Sequence, residues 1–204
     1  MKTMICMGDS LTEGSDIPVG HTWPELAGNA LNIDVVNWGI GGDTSAGMLA
    51  RFHGQLSARK PSFVFILGGT NDLWWGWEVY TVLGNLFSMV VQARHIKIAP
   101  VIGIPLPVNV SAAKAADFSP PMDGYDRFIE KLEALVESLI VHAAENEVAL
   151  VDLHGLFLTD QRIIKEDLFL PDGLHPNRAG HQVIADAVVA AFRKDFGFKA
   201  SAST

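Results

Sequence analysis

Met4-Ile5-Cys6-Met7-Gly8-Asp9-Ser10-Leu11 is a short apolar run that stops at a glycine and hands an acid and a serine to a loop. Polar residues and a second glycine follow, Thr12, Glu13 and Gly14. A buried strand that ends this way places both side chains at the carboxyl edge of a sheet, where open α/β sheets carry their chemistry. A serine at that edge is a candidate nucleophile only if a base and an oxyanion site converge on it. Alone, Gly-Asp-Ser reads equally well as a strand-to-loop turn.

Working outward, strand-like and helix-like segments alternate. Thr22-x-x-Glu25 predicts a capping box with Pro24 in the first turn. Trp23, Leu26, Ala27, Ala30 and Leu31 then recur at helical spacing. Ile33 to Trp38 predicts a second strand, ending at Gly39-Ile40-Gly41-Gly42, and Asp43 or Thr44 caps a helix to about Ala58. Phe63 to Leu67 predicts a third strand, followed by Gly68-Gly69 and a helix from about Glu78 to His95. Ile98 to Ile104 and Val148 to Leu153 complete five strands. Between them, Asp126 to Glu145 predicts a helix with Phe128, Ile129, Leu132, Leu135, Val136, Leu139 and Ile140 on one face. Pro176 to about Phe192 predicts the last helix, with Ala179, Val183, Ile184, Ala187, Val188, Ala191 and Phe192 as its stripe. Strands apolar throughout, alternating with helices, argue for an α/β fold with a parallel sheet covered on both faces. We expect one domain over residues 1–204, with Lys199 to Thr204 frayed. Two long connections, 105–124 and 154–175, should overhang the edge that carries Ser10.

Composition narrows the function. The chain has 204 residues, 49% of them hydrophobic, and a mean hydropathy of +0.23. No apolar run approaches the roughly 18 residues of a membrane helix, and the N-terminus lacks the core and cleavage site of a signal peptide. With Cys6 as the only cysteine, no intrachain disulfide forms, which suits the cytoplasm. A net charge of −8 without a basic cluster argues against nucleic acid as a partner. No phosphate loop and no metal-spaced Cys/His pattern appear, so we expect no cofactor and no metal. The expected partner is a small-molecule ester, and a homo-oligomer is compatible with the composition.

Four segments lead to one edge: Gly8-Asp9-Ser10, Gly41-Gly42-Asp43-Thr44, Gly69-Thr70-Asn71-Asp72 and Asp172-Gly173-Leu174-His175. A serine hydroxyl attacks only when a base takes its proton, and histidine suits that task near neutral pH. Asp172, three residues before His175 across a turn eased by Gly173, can orient the ring. Acyl transfer also needs donors aimed at the developing oxyanion. The backbone N–H of Gly42, the amide of Asn71 and the backbone N–H of Ser10 are candidates. Gly41 is the alternative to Gly42.

Those four blocks, in this order from Met4 to His181, resemble the SGNH (GDSL-type) hydrolases. The resemblance implies a flavodoxin-like three-layer α/β/α sandwich and a metal-independent serine esterase. It implies Ser10 as nucleophile, Gly42 and Asn71 in the oxyanion hole, and Asp172 and His175 in the triad.

Plainer uses compete with each reading. Asn71 could cap the following segment. Asp9 and Asp72 are expected to fix their loops through side-chain-to-backbone hydrogen bonds. His21, His53, His95, His142, His154 and His181 are expected on the surface or in loops, His181 on the polar side of the last helix. Trp74, Trp75 and Trp77 follow the Asn71 block, and one or two should face the substrate; core packing or a subunit interface is the alternative. The leading reading is a serine-type carboxylic ester hydrolase on short-acyl esters, such as acetyl esters of sugars or aryl esters. A lysophospholipase or thioesterase is the alternative. A metal-dependent phosphohydrolase using Asp9, Asp43, Asp72, Asp172 and His175 leaves Ser10 and Asn71 without roles. A carbohydrate-binding module built on the tryptophans leaves the triad unused.

Overall fold

The computed structural model describes residues 2–14, 16–116 and 118–198. Along them run β1 (Thr3–Gly8), α1 (Ser10–Glu13), α2 (Trp23–Leu31), β2 (Asp34–Gly39), α3 (Ser45–Arg59), β3 (Phe63–Leu67), α4 (Thr70–Trp74) and α5 (Val79–His95). Then follow β4 (Ala99–Gly103), α6 (Val110–Ala115), α7 (Tyr125–Glu145), β5 (Ala149–Val151), α8 (Leu153–Leu156), a 3-10 turn (Glu166–Leu168) and α9 (Arg178–Phe196). The long elements match those expected. The one-turn helices α1, α4 and α8 fall where the sequence predicts loop or strand, because four or five residues carry no period. The tail expected to fray, Lys199 to Thr204, lies outside the described residues.

All five strands pair in parallel, in the order β2-β1-β3-β4-β5. The chain starts mid-sheet, steps to one edge, then returns past β1 to build the other side. Connections therefore leave β1 and β3 in opposite directions, which opens a crevice at their carboxyl ends. In register, Gly8 lies opposite Gly39 on one side and Leu67 on the other. The loops after β1, β2 and β3 thus emerge side by side.

Strand alternation divides the core into two layers. Ile5, Met7, Val64 and Ile66 pack with Met48 and Phe52 of α3, Met89 of α5 and Leu135 of α7. Met4, Cys6, Phe63 and Phe65 pack on the opposite face with Trp23 of α2 and Ile184, Val188 and Phe192 of α9. This is the expected three-layer α/β/α sandwich. Each fully buried aliphatic side chain contributes about 1.5–3 kcal/mol relative to exposure. Burial on both faces holds for β1, β3 and β4; β2 and β5 are edges and remain partly exposed.

On α7 the expected stripe is corrected at two places. Ile140 is 46% exposed, on the flank of the Phe128–Leu132–Leu135–Leu139 face. Lys131 is buried instead, its ammonium donating to Asp123 Oδ2 at 2.6 Å and to the Gly76 carbonyl at 2.8 Å. On α9, Ala179 is exposed, and Gly180 and Ala185 take core positions. No helix among the described residues is long and apolar enough to cross a membrane.

Candidate active site

Asp9 has extended backbone and caps α1, its Oδ1 accepting the Leu11 N–H at 2.9 Å. Ser10 is therefore the first residue of a single helical turn, and its own N–H, one of the turn's free donors, meets no acceptor among the described residues. The turn sits directly on β2: a side chain at Gly39 would run into the backbone of Glu13. From below, the Trp23 indole N–H donates to the Leu11 carbonyl at 3.0 Å, and Asn37 Nδ2 donates to the Thr12 carbonyl at 2.8 Å. Three bonds thus hold a turn that has too few residues to be stable by itself.

His175 arrives on the loop before α9. Its Nε2 lies 3.0 Å from Ser10 Oγ, and its Nδ1 lies 2.7 Å from Asp172 Oδ2. A carboxylate only accepts, so Nδ1 carries the proton and Nε2 is the acceptor facing the hydroxyl. Asp172 Oδ1 also accepts the N–H groups of Leu174 at 2.8 Å and His175 at 2.9 Å. Partial burial pushes the Asp172 carboxyl up, but the three bonds from His175 and Leu174 outweigh it and hold it below the ordinary value. Gly173 takes a φ of +66°, where a side chain would also run into Ala112 and Asn109. Asn177 then secures the loop: its Oδ1 caps α9 at Ala179 and Gly180, and its Nδ2 donates to the Asp167 and Phe169 carbonyls. Sequence reasoning passed over Asn177, although an Asn three residues before Gly180 at a helix start is the signal of a cap.

The other two blocks stand opposite. Asn71 Nδ2 donates to the Asp43 carbonyl at 2.9 Å, which uses one of its two hydrogens and leaves the other. Among the described residues the Gly42 N–H also meets no acceptor. Asp43 pairs with Arg51 at 2.8 Å, and Arg51 reaches on to the Gly8 carbonyl at 3.1 Å. Asp72, fully buried, accepts from the Ser45 hydroxyl at 2.5 Å and from the Ser45 N–H at 2.9 Å. Burial still leaves its carboxyl above the ordinary value. Asp9 is more extreme: burial pushes it up to about 7, and its Oδ2 has no partner among the described residues. Arg51 and Ser45 carried no sequence signal, because their partners come from other elements.

A cleft of about 620 Å³ opens above these two sets of groups. Ser10, Gly41, Gly42, Asn71, Asp172 and His175 all face it. Trp74 and Trp75 form part of its wall; Trp77 does not reach it. Trp74 is also structural, because its ring packs edge-on against Tyr125 and Phe128 and its N–H donates to the Ser119 carbonyl at 3.0 Å. That bond holds the segment carrying Phe118 over the cleft, with the Phe118 and His175 rings 6.5 Å apart. Phe118 was missed in the sequence, as an isolated aromatic in a long loop. Asp9, Glu13, Asp16 and Asp172 line the cleft, and among the described residues no lysine or arginine does. A wider, shallow groove of about 800 Å³ at the amino ends of β4 and β5 holds Arg94, Lys97 and Lys194 and, among the described residues, no serine, histidine or asparagine.

A model of the GDSL-like lipase/acylhydrolase family matches residues 6–183. The chain belongs to this family. It is a carboxylic ester hydrolase. An arylesterase from Vibrio mimicus is 28% identical, over 92% of this chain and 86% of that one. A thioesterase 1/protease 1/lysophospholipase L1 from Escherichia coli is 28% identical, over 90% of this chain and 80% of the relative. A crystal structure of a member of the lipolytic G-D-S-L family from Veillonella parvula superposes with a TM-score of 0.77 at 25% identity, covering 95% of this chain and all of that one.

Two histidines of this GDSL-family chain depart from expectation. His181 is 1% exposed and its Nδ1 accepts the Trp23 N–H at 3.0 Å. His154 is 2% exposed, with Nδ1 bonded to the Pro105 carbonyl at 3.1 Å. The sequence predicts surface or loop positions for both, since His181 falls on the polar side of its helix and His154 opens a long connection, and neither segment shows the partner from another element that covers it.

Proposed function

We propose that Ser10 is the nucleophile of a serine-type ester hydrolase, with His175 as general base and acid and Asp172 as the group that orients it. The observation that carries this reading is the unbroken chain from Ser10 Oγ through His175 to Asp172, at 3.0 and 2.7 Å. His175 Nε2 takes the hydroxyl proton as Ser10 Oγ attacks the ester carbonyl. The oxyanion is met by the N–H groups of Ser10 and Gly42 and the second hydrogen of Asn71 Nδ2. His175 then protonates the leaving alcohol, and the acyl group stays on Ser10. Asp9 caps the turn that presents Ser10, and Asp72 ties the Asn71 segment to α3 through Ser45.

We further propose short-acyl esters of aryl or sugar alcohols as substrates. Trp74, Trp75 and Phe118 supply flat apolar walls that narrow the acyl side and stack on a ring of the leaving group. A cleft lined by Glu13, Asp16 and Asp172, with no lysine or arginine among the described residues, disfavours phosphorylated leaving groups, which argues against phospholipids and carrier-bound thioesters. The carboxylates that a metal-dependent reaction would need are engaged elsewhere: Asp172 by His175, Asp43 by Arg51 and Asp72 by Ser45.

The test is labelling by a serine-directed phosphonate, with hydrolysis of p-nitrophenyl esters from acetate to palmitate, of acetylated sugars and of acyl thioesters. Ser10→Ala should fold, resist labelling and lose turnover. A folded, fully active Ser10→Ala protein would remove the triad. Highest kcat/KM on long chains or on thioesters would replace the substrate class and leave the triad standing.

A further inference from the structure

Behind Ser10 lies a second cavity, of about 30 Å³, which shares Ser10, Asp16 and His175 with the cleft and adds His181. Ile17, Leu170 and Pro176 close it on its apolar side. A cavity needs roughly 10–15 Å³ on this measure to hold one water, so this one takes one or two and excludes any substrate group.

His181 presents a fixed donor there. Its Nδ1 accepts the Trp23 N–H, so the proton of the neutral ring lies on Nε2. Burial, with the nearby His175 adding to it, pushes the ring down to about 4, so it stays neutral at any ordinary pH. The Cε1–Nε2 edge of the ring lies against Gly14, which lines the same cavity.

We infer that this cavity holds the water that hydrolyses the acyl-enzyme, and that His181 is its positioning residue. The inference rests on the acylation of Ser10 proposed above. A water there has all four of its hydrogen-bonding positions accounted for. It donates one hydrogen to His175 Nε2 and the other to the Asp16 carboxylate. It accepts from His181 Nε2–H, and its remaining lone pair faces the ester carbon on Ser10. As that lone pair forms the new C–O bond, the proton passes to His175 Nε2. The tetrahedral adduct collapses, the bond from carbon to Ser10 Oγ breaks, and His175 returns the proton to Oγ. The carboxylic acid leaves through the cleft. An alcohol acceptor does not fit the small cavity and attacks from the cleft instead.

Two variants separate positioning from packing. His181→Asn keeps an acceptor for the Trp23 N–H and deletes the donor to the cavity. His181→Gln keeps a donor near the Nε2 position and deletes the acceptor. Each is assayed on p-nitrophenyl acetate with methanol added. The readouts are the burst of p-nitrophenol, the steady-state rate and the ratio of methyl acetate to acetate.

His181→Asn should leave the burst rate unchanged, slow deacylation by about tenfold, and raise the methyl acetate ratio to match, the kinetic equivalent of one lost hydrogen bond. His181→Gln should keep the wild-type ratio. An unchanged ratio in His181→Asn, or an equal shift in both variants, overturns the proposal. Should neither variant fold, Ile17→Phe fills the cavity from its apolar wall. It should raise the ratio as well, and an unchanged ratio there also overturns the proposal. Absence of an acetyl group on Ser10 in trapped wild-type enzyme would instead reject the acylation step itself.

Discussion

The Trp23 indole donates to the Leu11 carbonyl at 3.0 Å, so the first residue of α2 holds the single turn that begins at Ser10. The ring is fully buried and packs at 4.9 Å from Phe65. Trp23→Phe keeps an apolar ring there and removes the donor. It leaves a buried carbonyl unpaired and should cost about 1–3 kcal/mol of stability. It should also lower kcat, because the turn that presents Ser10 loosens. Denaturant unfolding and steady-state rates together check this. An intact kcat would mean that Asp9 and Asn37 hold the turn unaided.

Asp172→Asn leaves the loop largely intact, since an amide oxygen can still accept from Leu174 and His175. It removes the acceptor-only partner of Nδ1 and favours the wrong ring tautomer. A fall in kcat on the order of 10⁴ is expected. Full activity would mean that another carboxyl orients His175. Stability should move too, in the opposite sense to a buried acid. The folded Asp172 carboxyl titrates below its unfolded value. Its contribution is therefore complete above the unfolded pKa and lost as pH falls through the folded one. The acid limb of wild-type stability should accordingly flatten in the variant.

Asn71→Ala should lower kcat by roughly 10²–10³, the usual loss for one oxyanion donor, with little change in KM. The same change frees the Asp43 carbonyl. Asp43→Ala, which retains that carbonyl, should therefore affect rate less. A change confined to KM in Asn71→Ala would assign the amide to ground-state binding only.

Asp9 gives a pH signature. Its folded carboxyl is pushed up to about 7 from an ordinary 3.8, so the folded protein keeps a proton that the unfolded chain releases. Stability from this group falls as pH rises from about 4 to about 7 and is level above that. Asp9→Asn retains the acceptor for the Leu11 N–H and cannot ionise. The stability gap between variant and wild type should widen by a few kcal/mol in favour of the variant from pH 4 to pH 8. Parallel curves for the two proteins would place the Asp9 titration outside this range.

The three tryptophans should differ. Trp75, 55% exposed on the cleft wall, should alter chain-length preference when changed to Ala, with little loss of stability. Trp74→Ala should shift the preference and also destabilise by roughly 2 kcal/mol, below the 3–5 of a fully buried aromatic. Trp77→Ala should do neither to the substrate profile. A profile unchanged by Trp74→Ala and Trp75→Ala would pass the acyl wall to Phe118.

Periodicity and punctuation in the chain determined the α/β class, the five strands and the long helices. Such signals are local: a strand such as Phe63–Leu67 or a capped helix such as Trp23–Leu31 is written in consecutive residues. The four blocks around Ser10, Gly42, Asn71 and His175 were legible for the same reason, since each is a short strand-to-loop transition with chemistry attached. Tertiary structure alone decided what holds those blocks. Arg51 bridges Asp43 to Gly8, Ser45 satisfies Asp72, and His181 meets Trp23 across 158 positions. It also decided that Phe118 and not Trp77 faces the cleft, and that Lys131 is buried while Ile140 is not. A hydrogen bond between distant elements depends on where two backbones come to rest, and no spacing within either segment encodes that distance.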